Sequence, residues 1–248
     1  MPATYAHYRA GETIRRRVDA EIQRVICDHS ELYQIGLHGP DILFYYQPLS
    51  SNRVNRVGYA MHEKSGAAFF TYAAKVLKNH PGEEAYLAYV YGYLCHFALD
   101  VSCHGLIAEK MEASGLSHAE VEVELDRELL NLDGYDPVRK KLTGHIVPSR
   151  RNAAVIQEFY PGISEHEVRQ ALRGFAFYNN LLRAPSRLKR QVLYTAFRLA
   201  KCDDTMHGMI IRYEKDPRCA DSTEQLLKLY ADGERLAEKL IGEFNAFL

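Results

Sequence analysis

The most informative segment of this chain is Cys95-His96-Phe97-Ala98-Leu99-Asp100-Val101-Ser102-Cys103-His104. It lies in a segment, residues 83–108, that is dense in aromatic and aliphatic side chains and has no clean polar face, which predicts a long buried helix. His96, Asp100 and His104 recur every four residues. Because four residues advance a helix by only about 40° beyond a full turn, these three side chains share one face.

A buried helix face that carries His, Asp and His needs compensation. An unpaired buried carboxylate is costly, and metal coordination is one of the few ways to neutralise it. The alternative is a buried network of ion pairs. We therefore predict that His96, Asp100 and His104 are metal ligands.

A second pair of candidate ligands follows this helix. Ser117 and Glu120 form a capping box, which predicts that a helix begins there and continues to about Leu132. His118 and Glu122, four residues apart, would lie side by side on this helix.

Three further candidates lie earlier in the chain. They are His7, His62 and Asp41, which follows Gly39-Pro40 and is therefore expected at a bend. The candidate ligands then exceed what one tetrahedral ion can use, which indicates a cluster with at least one bridging carboxylate.

Composition restricts the function classes. The chain has 248 residues and a formal net charge of -1, so no global field attracts it to nucleic acid or to an anionic bilayer. Its five cysteines include no CxxC pair, which argues against a disulfide framework and against a thiolate zinc site. We find no signal peptide and no membrane-spanning stretch, and we expect a cytoplasmic protein.

Apolar periodicity predicts an all-α fold in a single domain, residues 1–248, with the metal ligands in residues 1–125 and a helical remainder in residues 126–248. Further helices are expected at residues 12–26, 58–78 and 222–247, with breaks at Pro161-Gly162 and at Pro185. The basic run Arg183, Arg187, Lys189 and Arg190 is either a solvated face or a contact for anionic headgroups.

These residues together resemble the zinc-dependent phospholipase C family, which is related to bacterial phosphatidylcholine-hydrolysing enzymes and to single-strand-specific zinc nucleases. The pieces that carry the resemblance appear in the family's order: Ala6-His7-Tyr8, Gly39-Pro40-Asp41, Met61-His62, His96-x3-Asp100, His104 and Ser117-His118-x3-Glu122.

The resemblance implies a multi-helix fold and two or three zinc ions. One ion would be held by Asp41, His62, His96 and Asp100, and the second by His104, His118, Glu122 and solvent. A third would use Asp100 as a bridge, together with His7. The secreted relatives complete this third site with an N-terminal tryptophan, whereas this chain contains no tryptophan.

The implied activity is hydrolysis of a phosphate ester, most closely a phospholipase C-like cleavage of a phosphodiester by a metal-bound hydroxide. Asp41 is the candidate catalytic residue, either as the general base that orients the water or as a plain ligand. The substrate stays open between a lipid headgroup, a nucleotide and a small phosphoester, and a peripheral membrane contact stays open as well. The alternatives are a nuclease or phosphomonoesterase of the same superfamily, and a non-catalytic binding module stabilised by metal.

Overall fold

The computed structural model describes residues 4–63, 65–202 and 206–247, and every regular element in these ranges is a helix. The prediction of an all-α fold is therefore confirmed. Three short 3₁₀ helices cover Gly39–Tyr45, His207–Met209 and Pro217–Cys219. The α-helices are α1 (Thr4–Ile14), α2 (Ala20–Asp28), α3 (Ser30–Gly36), α4 (Arg53–Glu63), α5 (Gly66–Asn79), α6 (Glu84–Ser114), α7 (His118–Leu132), α8 (Arg150–Gln157), α9 (Glu165–Leu182), α10 (Arg187–Leu199) and α11 (Ala220–Phe247).

Most predicted helix boundaries are confirmed, and two predicted helices are each divided in two. The segment predicted as one helix at residues 12–26 contains the end of α1 and most of α2, because Asp19 has an extended backbone and begins a new helix. The segment predicted at residues 58–78 is likewise shared by α4 and α5, with Ser65 in extended conformation before α5. The long helix α6 matches its prediction and continues six residues further, to Ser114.

The chain divides into two compact units. The first unit consists of Met1–Ala6, Leu99–Leu142 and Asn179–Gly233, and the second unit of His7–Ala98, Thr143–Tyr178 and Glu234–Leu248. The single domain expected from the sequence stays a prediction.

The second unit is organised around a close crossing of α3 and α6 at a pair of glycines. A Cβ added to Gly36 would lie 2.4 Å from the carbonyl oxygen of Tyr89, and one added to Gly92 would lie 2.1 Å from that of Tyr33. Backbone at such a distance leaves no room for any side chain. The glycine pair therefore lets α3 lie directly on α6, just before the chain enters the 3₁₀ helix Gly39–Tyr45.

The glycine pair gives a stability prediction with a control on the same helix. We expect Gly92→Ala to lower the free energy of unfolding by about 3 kcal/mol or more, because the added methyl group meets backbone that cannot rotate away. Gly105 of α6 is exposed and has nothing within 4 Å of an added Cβ. Gly105→Ala should therefore raise stability by up to about 1 kcal/mol through helix propensity. Urea unfolding measures both, and equal stabilities of the two variants would contradict the close crossing.

In the first unit, α7 and α11 hold the beginning of α1. The two carboxylate oxygens of Asp126 accept hydrogen bonds from the backbone N–H groups of Tyr5 and Ala6, at 3.0 and 2.8 Å. The hydroxyl of Tyr230 donates to the carbonyl oxygen of Ala6 at 3.1 Å. The first turn of α1 thus has partners for its otherwise unpaired N–H groups, and His7 is the next residue of this helix.

Candidate metal centre

In the second unit, three predicted ligands from three different elements meet. Asp41 comes from the 3₁₀ helix, His62 from α4 and His96 from α6, and one ligand atom of each lies within 4.8 Å of the others. Asp41 and His96 are buried, at 3% and 2% exposure. Gly39 lies against His96 with a positive φ of 47°, and a Cβ there would be 2.3 Å from the imidazole Cδ2. The turn predicted from Gly39-Pro40 therefore brings Asp41 beside the ridge of α6.

The hydrogen bond on the far side of His62 orients its ring. Nδ1 of His62 donates to the carbonyl oxygen of Gly58 at 2.9 Å, because a carbonyl can only accept. In the neutral ring, Nε2 then presents a lone pair, and it lies 2.9 Å from the carboxylate Oδ1 of Asp41. Two lone pairs at this distance repel unless a proton or a metal ion lies between them. A backbone partner on the second nitrogen is also how metal-binding histidines are usually held.

The charges of this group favour an ionised carboxylate. Burial would raise the pKa of Asp41, but the imidazoles of His96 and His62 lower it well below its usual range. Burial lowers the pKa of His62, and the neighbouring Asp41 carboxylate outweighs this and raises it. The pair thus prefers a negative oxygen next to a positive neighbour, the role that a divalent cation can also fill.

His7 lies in the same unit and packs on His96. Their ring centroids are 4.6 Å apart with an interplanar angle of 34°, and His7 is 5% exposed. The structure thus brings His7, Asp41 and His96, which are buried, together with the more exposed His62 in the second unit.

The first unit contains a group of three predicted ligands. One ligand atom each of His104, His118 and Glu122 lies within 4.8 Å of the others. Nε2 of His118 is 2.9 Å from Oε1 of Glu122, and Nε2 of His104 is 3.8 Å from the same oxygen. Burial would raise the pKa of Glu122, which is 2% exposed, but the imidazoles of His104 and His118 lower it to about 2.

The helix end that carries His118 is held firmly. The predicted capping box is present: the Ser117 hydroxyl accepts from the backbone N–H of Glu120, and the Glu120 carboxylate accepts from that of Ser117. The guanidinium of Arg218 donates to the free side of the Glu120 carboxylate at 2.9 Å. The first turn of α7, and with it His118, is therefore fixed from two sides.

Asp100 also belongs to the first unit, one helical turn before His104. Its Oδ1 lies 3.9 Å from Nε2 of His104. Its roles as a ligand beside Asp41 and as a bridging carboxylate with His7 stay predictions.

Two contacts near these groups were not predicted. His38 and His145 approach within 2.7 Å through their Nε2 atoms, so one imidazole donates and the other accepts. Tyr8 stacks on His145 with ring centroids 4.3 Å apart. Asp126, the cap of α1, was also missed, although it continues the four-residue spacing of His118 and Glu122 and could have been found from it.

The His38–His145 pair predicts sensitivity to acid. Burial lowers the pKa of His145 to about 4, whereas its ordinary value is 6.5. The unfolded chain therefore binds a proton between these pH values and the folded chain does not, so that the free energy of unfolding falls as pH falls. Between pH 7 and pH 5 we expect the free energy of unfolding of the unmodified chain to fall by about 2 kcal/mol more than that of His145→Asn. Urea unfolding at both pH values tests this, and parallel losses would contradict it.

The residues of both groups fit zinc. Oδ1 of Asp41, Nε2 of His104 and Oε2 of Glu122 are buried atoms that make no hydrogen bond within the described ranges. Imidazole nitrogen and carboxylate oxygen are ligands that zinc favours. Burial raises the thiol pKa of both Cys95 and Cys103 to about 12, so that these neighbours stay protonated. Nitrogen and oxygen, as predicted, are the donors that the groups offer.

Comparison with known families agrees with this geometry. The family model described as zinc-dependent phospholipase C matches residues 7–166. This range is more than half of the chain, begins at His7 and includes all eight predicted ligands. No curated protein and no solved structure matched the chain. The protein therefore belongs to the zinc-dependent phospholipase C family.

Proposed function

We propose that this protein is a zinc-dependent phosphoric ester hydrolase that cleaves phosphodiesters as a phospholipase C does. One zinc ion is held by Asp41, His62 and His96. Another is held by His104, His118 and Glu122. The family match supports zinc and hydrolysis in general, and the arrangement of the two groups supports the assignment of these ligands.

One observation carries the proposal: each group sets a carboxylate oxygen 2.9 Å from an imidazole Nε2, as between His62 and Asp41 and between His118 and Glu122. The backbone bond of His62 orients its Nε2 towards this contact. A shared cation explains why a buried carboxylate oxygen lies so close to an imidazole nitrogen in each group.

The group of His104, His118 and Glu122 offers three protein ligands, which favours catalysis over a structural role. Structural zinc is usually closed by four protein ligands, whereas catalytic zinc keeps a position for water or substrate. Zinc in such a site lowers the pKa of bound water and neutralises charge on phosphate oxygens. In this proposal Asp41 acts as a ligand, and its ionised carboxylate contributes the negative charge that holds the cation.

Removal of the metal tests the proposal. A chelator should abolish hydrolysis of bis(p-nitrophenyl) phosphate and of a short-chain phosphatidylcholine, and added zinc should restore it. The expected lipid products are diacylglycerol and phosphocholine. Hydrolysis that persists after the chelator has removed all zinc would contradict the mechanism.

Substrate competition separates the remaining functions. Single-stranded DNA and p-nitrophenyl phosphate should be cleaved more slowly than the short-chain phospholipid. Preferred cleavage of DNA would favour the nuclease, and preferred cleavage of the monoester would favour the phosphomonoesterase. Full zinc content without hydrolysis of any of these substrates would favour a binding module.

A further inference from the structure

Helix α10 of the first unit has an exposed apolar face. Leu188, Val192 and Leu199 are 73%, 60% and 82% exposed. Their spacing of four and seven residues places them in one stripe along the helix. The opposite face is buried, where Leu193 and Phe197 pack in a cluster with Ala184 and Ile210.

The sequence around this stripe is basic up to Cys202, after which Asp203-Asp204 follow. Between Asn179 and Cys202 there is no acidic residue, although the whole chain carries a formal net charge of -1. The basic residues of this stretch are Arg183, Arg187, Lys189, Arg190, Arg198 and Lys201.

Two of these cations hold α10 in place. The ammonium group of Lys189 donates to the carbonyl oxygens of Asn180 and Arg183 at 3.1 and 2.7 Å. The guanidinium of Arg190 donates to the carbonyl oxygen of Ile211 at 2.7 Å and lies 4.2 Å from the ring centroid of Tyr213. Both side chains are therefore used within the unit.

Two other cations of α10 lie beside the apolar stripe. Arg187 and Arg198 are exposed and eleven residues apart, so they lie on a common strip about 100° from Leu188 and Leu199. Lys201 is exposed just beyond the end of the helix. Apolar side chains bordered by cations, with no acidic residue between them, are complementary to a surface of phospholipid acyl chains and anionic headgroups.

We propose that this face of α10 docks on the surface of an anionic phospholipid membrane. Leu188, Val192 and Leu199 enter the boundary of the acyl chains, and Arg187 and Arg198 contact the headgroups. The contact is peripheral: across the part of the chain that the structure describes, no helix has the length and apolar composition to cross a bilayer. Since α10 lies outside residues 7–166, the inference goes beyond both the family match and the proposed function.

The docking face and the metal group of the first unit are joined by a short packed connection. Tyr194, on the inner side of α10, stacks on His207 with ring centroids 4.1 Å apart. The next residue, Gly208, lies against the N-cap of α7, where an added Cβ would be 2.8 Å from Oγ of Ser117. His118 follows Ser117 directly. A lipid surface bound at α10 is therefore held at a fixed position relative to α7 and its ligands.

The absence of tryptophan from the chain permits a site-specific probe. In zinc-loaded Val192→Trp, the single indole should shift its fluorescence to the blue when vesicles that contain phosphatidylserine are added. Leu132→Trp is the matched control, because Leu132 is also 60% exposed but lies at the end of α7. A shift of equal size in both variants, or none in Val192→Trp, would overturn the proposal.

Vesicle co-sedimentation tests the contributions of the apolar residues and of the arginines of α10. We expect binding to phosphatidylserine vesicles to be at least tenfold tighter than to pure phosphatidylcholine vesicles. Two double variants should each weaken binding to phosphatidylserine vesicles at least tenfold: Leu188→Ser with Leu199→Ser, and Arg187→Glu with Arg198→Glu. The control variants Leu132→Ser and Lys239→Glu should not weaken it. Binding that neither pair weakens would overturn the proposal, as would a dimer in sedimentation analysis that the serine pair dissociates.

Hydrolysis of a water-soluble phosphodiester separates this inference from the proposed function. The substituted residues of α10 are not among the proposed metal ligands, so all these variants should keep the hydrolytic rate of the unmodified chain. Loss of vesicle binding at an unchanged rate is the expected result. Loss of both together would show that the variants act on the metal centre and would contradict the docking role.

Discussion

Glu122→Gln is expected to remove the zinc ion of the first unit and to lower the rate of phosphate ester hydrolysis about a thousandfold. Oε1 of Glu122 lies 2.9 Å from Nε2 of His118, and its Oε2 is buried without a hydrogen bond in the described ranges, so the carboxylate has an oxygen to offer the proposed ion. The amide keeps the size of the side chain but loses its negative charge. A metal ion contributes several kcal/mol to the stabilisation of charge in the transition state, which corresponds to about three factors of ten in rate.

The matched control for this variant is Glu128→Gln. Glu128 is on the same helix, is partly exposed, and lies 3.6 Å from Arg127 rather than near His118. Plasma emission spectroscopy measures the zinc content and a phosphodiester assay measures the rate. The control should keep both, and an active, zinc-replete Glu122→Gln would remove Glu122 from the set of ligands.

Asp41→Asn is expected to have an effect of similar size in the second unit. Asp41 is 3% exposed, and its Oδ1 is 2.9 Å from Nε2 of His62. The substitution removes the negative charge that lies beside the imidazoles of His62 and His96. Zinc bound by this group should therefore be lost, and the rate should fall about a thousandfold.

The zinc content of Asp41→Asn also distinguishes the two roles considered for Asp41. If Asp41 is a metal ligand, its substitution should also remove the zinc ion. If it is only the general base, the ion should stay bound. We expect zinc and activity to fall together. Asp28→Asn, a change at an exposed carboxylate of α2, should leave both unchanged. Full zinc content in an inactive Asp41→Asn would make Asp41 the general base.

The features that could be predicted from the sequence are those set by local geometry. His96, Asp100 and His104 could be placed on one face because helical spacing is the same in every protein. The N-terminus of α7 could be placed because the side chains of Ser117 and Glu120 each accept a hydrogen bond from the other residue's backbone N–H. Asp41 could be placed at a bend because Gly39 and Pro40 precede it.

The features that escaped prediction depend on contacts between distant parts of the chain. His145 is 107 residues away from His38, and no periodicity links them. Gly36 and Gly92 acquire their importance only where α3 crosses α6, since each glycine alone is compatible with an ordinary helix. The interruption of the predicted helix between α1 and α2 was missed because apolar spacing continues across Asp19.

The exposed stripe of α10 illustrates a different limit. The basic composition around α10 can be read from the sequence. Which of its apolar residues are exposed cannot, because Leu188 and Leu193 are the same residue type. The structure separates them, with Leu188 exposed and Leu193 buried. The exposed apolar face, opposite the packed one, is the surface for which we propose membrane docking.

Anomalous scattering at the zinc edge, from crystals of the unmodified protein, is the most direct measurement of zinc binding by the two groups. We predict one peak at about 2.0–2.2 Å from ligand atoms of Asp41, His62 and His96, and another at such distances from His104, His118 and Glu122. Crystals of zinc-supplemented protein with no anomalous peak at either group, and with His62 and His118 hydrogen-bonded to their carboxylates instead, would contradict it.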